Sequence, residues 1–199
     1  MPTRLGFLGA LGLFLAACSS SPDPVLYTLA PANGQVVAAG PSVVLIERVE
    51  IPRYLDRSQI VKSSENYRLD VKSNDWWGEP VAPMLRRILR QELSQRLPQS
   101  AILSESGAVS ASPTVTIDID LQRLDEDASG NLILQAQASL SFKGRKEPVL
   151  KSFQYSVPVA AAAPASATPG ASTSGPEVQA ISIAVGKLAD GLAAALAVR

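Results

Sequence analysis

Cys18 is the only cysteine of the chain, and histidine is absent. Without an imidazole, neither Ser-His-Asp nor Cys-His nucleophilic catalysis can be built from this chain. Zinc sites assembled from histidines or from several thiolates are excluded for the same reason. Asp118 and Asp120 have the Asp-x-Asp spacing of a metal or glycosyl-transfer pair. They alternate with Ile117, Ile119 and Leu121, however, which puts both on the polar side of a strand, where a solvated face accounts for them. Ser104-Glu105-Ser106 offers hydroxyls without a general base in any motif. The expectation is a chain with no catalytic residue, no metal site and no cofactor, hence not an enzyme.

Cys18 has a different chemistry available. Arg4 is followed by the apolar run Leu5–Leu15 and then by Ala16-Ala17, the cationic start, hydrophobic middle and small-residue exit of a secretory signal. The run is too short for a spanning helix, which needs about 20 residues. Leu15-Ala16-Ala17-Cys18 resembles the bacterial lipobox. The resemblance implies cleavage before Cys18, a diacylglyceryl group on its thiol and a further acyl chain such as palmitate on its amine. One chain holds a protein to a membrane only marginally, at roughly 0.8 kcal/mol per buried CH2. Three on one residue exceed that need. Ser19 stands where aspartate would favour retention in the inner membrane of a Gram-negative cell. The resemblance therefore implies lipid anchoring in the outer membrane, facing the periplasm.

With residues 1–17 removed, Arg4 is lost and no acid is, so the remainder carries about one net negative charge. Such a balance, without a basic run, argues against nucleic acid as a partner and against a polybasic membrane patch. With its one thiol acylated, the monomer has no disulfide. The expected organisation is a signal at 1–17, a lipidated Ser/Pro-rich tether at 18–24, and one periplasmic domain at 25–199. An Ala/Pro/Ser/Thr linker near 160–175 interrupts that domain.

The elements follow from periodicity. Val25–Leu29 is a short strand and Ala30–Gly34 a turn. Val43–Ile51 is apolar on both sides at its start, the pattern of a strand covered on two faces. Gln59–Lys62 and Tyr67–Val71 read as two strands joined across Ser63–Asn66. Over residues 80–97, Val81, Met84, Leu85, Ile88, Leu89, Leu93 and Leu97 form one helical stripe. Pro80 and Pro83 sit in its first turn, where no N–H is missed. Arg96 closes its last turn, where a cation suits the dipole. Alternation predicts three further strands around 114–122, 132–142 and 152–159, an antiparallel meander. A capping box, Ser174-Gly-Pro-Glu177, starts a second helix with the seam Val178, Ile181, Val185, Leu188, Leu192 and Leu196. The fold class is α+β: a mostly antiparallel sheet with two helices on one face.

Tyr27-Thr-Leu29, Ile51-Pro-Arg-Tyr-Leu-Asp-Arg57, Gln59-Ile60-Val61 and Trp77-Gly-Glu-Pro80 occur in that order after the lipobox. Together they resemble the PqiC/YmbA family, the auxiliary lipoproteins of MCE-type ABC transport systems. The resemblance is specific over roughly Val25–Pro98, and the later elements agree in order only. It implies a partnership with a periplasmic MCE-domain protein, an inner-membrane permease and an ATPase that move lipids or other hydrophobic compounds, and it admits a homo-oligomeric ring. An alternative class is an assembly or pilot lipoprotein that escorts an outer-membrane protein complex. The candidate contact residues are Arg53 and Tyr54 in the 51–57 segment, which reads equally as a contact loop or a structural turn. Trp76 and Trp77 join them, one expected to pack over the helix start and the other to be left for contact.

Overall fold

The computed structural model describes residues 23–105, 111–160 and 174–197. Cys18, the rest of the lipobox, Ser106 and most of the expected linker (161–173) lie outside the described residues.

The long strand β6 (Val115–Glu126) organises the sheet. One of its edges pairs antiparallel with β7 (Asn131–Phe142), which pairs in turn with β8 (Val149–Pro158). The first turn of this meander is tied by the Asp127 carboxylate, which accepts the N–H groups of Ser129 and Asn131 at 2.9 Å each. Gly130 supplies the positive φ of 75° that the same turn needs.

The opposite edge of β6 is shared by two strands in succession. β2 (Val43–Glu50) runs parallel to its first half, and β3 (Gln59–Ser63) reaches its end where Ser63 pairs with Glu126. The loop 51–58 bulges out between them. Outside β2 lies β5 (Ala101–Ser104), parallel to it. Outside β3 lie β4 (Asp70–Trp77), antiparallel, and then β1 (Val25–Tyr27), parallel to β4. The sheet is thus mixed, with eight strands. The parallel β2–β5 pair requires a crossover, and α1 (Val81–Arg96) is part of it.

Both helices cover one face. α1 lies against β2 and β5, α2 (Gly175–Ala197) against β7 and β8, and the two touch. Beneath them the apolar sides of the strands form the core: Val44 and Ile46, Ile117 and Ile119, Leu132, Leu134 and Leu140 are all essentially inaccessible. α2 is long and apolar enough to cross a membrane, but 61% of its apolar window is buried inside this fold. All six residues of its predicted seam are buried.

Four expectations change. β2 is not covered on two faces: a bulge between Ile46 and Arg48 puts Val49 on the same side as Val44 and Ile46, and Arg48 and Glu50 on the open side. The strand after the 59–62 run begins at Asp70, not Tyr67. Asn66 (φ 55°) and Tyr67 (φ 61°) are both left-handed, so 65–68 is a tight turn closed by Arg68 N–H to Glu65 C=O at 3.1 Å. Ala30–Gly34 is not a turn but an extended strap between the helices. Ala30 donates to the Ser182 hydroxyl, Ala32 to Glu92 at 2.8 Å, and Gly34 exchanges two hydrogen bonds with Gln95. Finally, Arg96 is only 1% exposed. It donates to Ala32, Glu92 and Gly186 carbonyls and to Asp190, joining strap, α1 and α2.

Candidate partner-binding cleft

The sequence segments that stood out separately meet at one corner, the N-terminal end of α1. Trp77 ends β4 and donates its N–H to Ser58 C=O at 2.7 Å, fastening the 51–58 loop to the strand. Gly78 donates to Tyr27 C=O at 2.8 Å, which brings β1 into the same corner. The Glu79 carboxylate accepts from Arg87, one of whose N–H groups also reaches the Thr28 hydroxyl at 3.1 Å. Helix α1 then starts directly after Pro80, whose C=O accepts the Met84 N–H at 3.1 Å.

Between the loop and this corner is an open cleft of about 440 Å³, lined by Asp56, Arg57, Ser58, Trp77, Gly78, Glu79 and Pro80. It offers one large aromatic surface with charges of both signs at its rim. The loop above it is firmly held. Leu55 N–H bonds to Pro52 C=O at 2.9 Å, and the Leu55 side chain is buried. The Tyr54 hydroxyl donates to Asp125 at 2.8 Å, alongside the Ser64 hydroxyl at 2.7 Å. Asp125 is fully buried and is balanced by Arg123 at 2.8 Å, which also holds Glu65 at 2.6 Å. Burial first, and then the Asp125 carboxylate, push the Tyr54 phenol well above its usual pKa.

The four expected contact residues therefore separate. Tyr54 points inward and secures the loop, while Arg53 is exposed on it. Trp77 lines the cleft and packs against the core. Trp76, its neighbour in the strand, lies on the other side of β4 opposite Leu26, with its indole N–H on Ser73 C=O at 3.3 Å. Within the 51–57 segment it is Asp56 and Arg57, rather than Arg53 and Tyr54, that line the cleft. Asp118 and Asp120 lie on the uncovered face of the sheet, where Arg48 pairs with Asp118 at 3.3 Å. Among the described residues, no group of three or more Cys, Asp or Glu is arranged to hold a metal ion. A larger cavity of about 620 Å³, lined in part by Phe142, Lys143 and Leu196, lies at the other end of α1, and none of the four motifs contributes to it.

Residues 27–193 match the model of a protein family described as the ABC-type transport auxiliary lipoprotein component. The chain belongs to that family. The match takes in all four motifs, and it also extends through the meander and into α2. Two solved structures share the fold. One, described as an uncharacterized protein, is 16% identical with a TM-score of 0.67, over 87% of this chain and 99% of that one. The other, a Xanthomonas campestris protein assigned to the DUF330 family, is 15% identical with a TM-score of 0.66, over 86% and 94%. Curated proteins give no match.

Proposed function

We propose that this family member is anchored by lipid on Cys18 to the periplasmic face of the outer membrane and docks the MCE-domain protein of an ABC transport system there. In this reading it acts as a binding component, not a catalyst, and assists the movement of lipids or other hydrophobic compounds driven by the inner-membrane permease and ATPase. The observation that carries it is the meeting of Tyr27, the 51–58 loop and Trp77-Gly-Glu-Pro80 at one solvent-open corner. The core needs Leu55 and the inner side of Trp77, but it does not need Arg57 and Asp56 presented together at the rim of an aromatic cleft, with Arg53 exposed on the same loop. Interfaces favour such aromatic and arginine anchors. Assembly of several copies into a ring belongs to the same proposal, and the outer edge of β8, unpaired among the described residues, is available for it.

The test is affinity purification of the membrane-extracted protein with identification of what accompanies it. An MCE-domain protein is expected in the wild-type eluate, and its yield should fall at least several-fold for Arg57→Glu. Recovery of an outer-membrane protein complex with no MCE protein would replace this reading with that of an assembly factor.

A further inference from the structure

The turn at the tip of the β3–β4 hairpin carries an unusual residue. With φ positive at both Asn66 and Tyr67, it has the geometry for which Asn-Gly is the preferred pair. A tyrosine in the left-handed region is an outlier that local packing normally has to justify. Here packing does not: the Tyr67 side chain is as exposed as in an isolated peptide, at 109%. All residues from Asn66 to Asp70 are exposed, including Arg68 and the apolar Leu69 at 39%.

The same hairpin tip lies in the direction from which the N-terminal chain arrives. β1 is parallel to β4, with Val25 opposite Asp75 and Tyr27 opposite Trp77, so going back from Val25 runs toward Asp70 and the tip. Asp23 still follows this line, since its C=O accepts from the Asn74 side chain at 3.0 Å. The five residue steps from Cys18 to Asp23 span at most about 17 Å. The six residue steps from Asn74 to Arg68 span about 20 Å. A tether leaving in this direction is too short to hold a bilayer clear of the tip.

We propose that the tip Asn66–Leu69 rests on the bilayer that the Cys18 lipid enters, with Tyr67 seated among the headgroups and Leu69 beside it; this rests on the lipid-anchor reading above. A tyrosine suits that place, having an apolar ring and a hydroxyl that stays wet. Lipid and tip together make two points of contact, which orient the domain so that the cleft at the opposite end of β4 faces away from the membrane.

The lone cysteine makes the test clean, because its thiol is consumed by the lipid and an introduced cysteine is the sole labelling site. Full-length lipidated protein carrying Arg68→Cys or, as control, Leu150→Cys on the exposed β8 edge is labelled with an environment-sensitive fluorophore. It is then reconstituted into phosphatidylethanolamine–phosphatidylglycerol vesicles containing a headgroup-level quencher. The label at 68 should shift to the blue and be quenched several-fold more than the label at 150. Adding Tyr67→Gly should cut that quenching at least twofold while the melting temperature stays the same or rises. Equal quenching at 68 and 150 in protein that floats with the vesicles would overturn the inference and leave the anchor standing. Failure to float would remove the anchor and the inference with it.

Discussion

Arg96 Nε of α1 lies 2.6 Å from Asp190 Oδ1 of α2, although the arginine is buried and half of the aspartate side chain is in water. The pair is one arm of a junction. The other guanidinium nitrogens hold Ala32 C=O at 3.1 Å and Gly186 C=O at 3.0 Å. Arg96→Ala should cost about 3 kcal/mol, because it unpairs buried carbonyls as well as the carboxylate. Arg96→Lys should recover little, since the three N–H groups of one ammonium nitrogen cannot reach four partners spread around the guanidinium plane. Urea unfolding would measure both, and a loss below about 1 kcal/mol for Ala would show that the junction is not structural.

Two buried carboxyls make stability depend on pH. Desolvation raises Glu92 to about 7, against the Ala32 N–H and Arg96 that favour its charged form. Desolvation, and then the Glu126 carboxylate, raise Glu177 to about 8, opposed by Lys72 and Lys62. Glu92 Oε2 and Glu177 Oε1 are buried with no hydrogen-bond partner among the described residues. The unfolded chain releases these protons near pH 4.5, while the folded chain keeps them to about 7 and 8. The native state therefore binds more protons in that window, and stability falls as pH rises from about 4.5 through about 8. Glu92→Gln and Glu177→Gln should each flatten the decline, gaining about 1–3 kcal/mol at pH 8 and little at pH 4.5. Thermal melts across pH read this directly, and an unchanged slope in both variants would contradict it.

Two glycines in α2 invert the usual helix rule. Glycine to alanine inside a helix ordinarily stabilises by about 1 kcal/mol. A Cβ at Gly191 would meet the Tyr155 hydroxyl at 2.5 Å and the Phe153 ring at 2.7 Å, and one at Gly186 would meet Ala32 Cβ at 2.8 Å. Both alanine variants should instead lose about 1–3 kcal/mol through overpacking against β8 and the strap. Denaturant midpoints higher than wild type would show that these contacts yield easily.

The loop over the cleft separates holding from binding. Tyr54→Phe removes a hydroxyl bonded to fully buried Asp125 and should cost about 1–2 kcal/mol of stability. Exposed Arg57 makes no ion pair among the described residues, so Arg57→Glu should leave the melting temperature within a degree or two. Partner recovery should respond in the opposite order, falling for Arg57→Glu and hardly for Tyr54→Phe. A melting temperature that drops for Arg57→Glu as far as for Tyr54→Phe would make the loop purely structural.

The lipid itself is testable apart from the fold. Cys18→Ser should give protein that leaves the membrane fraction, melts like wild type and fails to support outer-membrane integrity. Full complementation by the unanchored variant would show the anchor to be dispensable.

Elements whose residues repeat are legible in the amino-acid order alone. β6, β7 and β8 alternate over eight or more positions, and α1 and α2 carry continuous apolar stripes. The residues also exclude histidine-based chemistry and point to the family, through motifs read in order. Four-residue β5 was beyond reach because so short a run has no distinct period. The burial of Arg96 leaves a trace, since it lies beside the apolar stripe, one residue before Leu97, but a charge in a last turn reads first as a solvated cap.

Strand pairing and the surfaces it creates arise only on folding. Strand order rests on contacts between distant segments, such as β2 with β5 and β6 across α1, which no local periodicity encodes. The strap became extended instead of a turn because two helices offered it partners that its own residues lacked. The cleft exists because Ser58, Trp77, Gly78 and Tyr27 exchange backbone hydrogen bonds. Backbone groups are the same in every residue, so that meeting point is not written in the side chains that mark it.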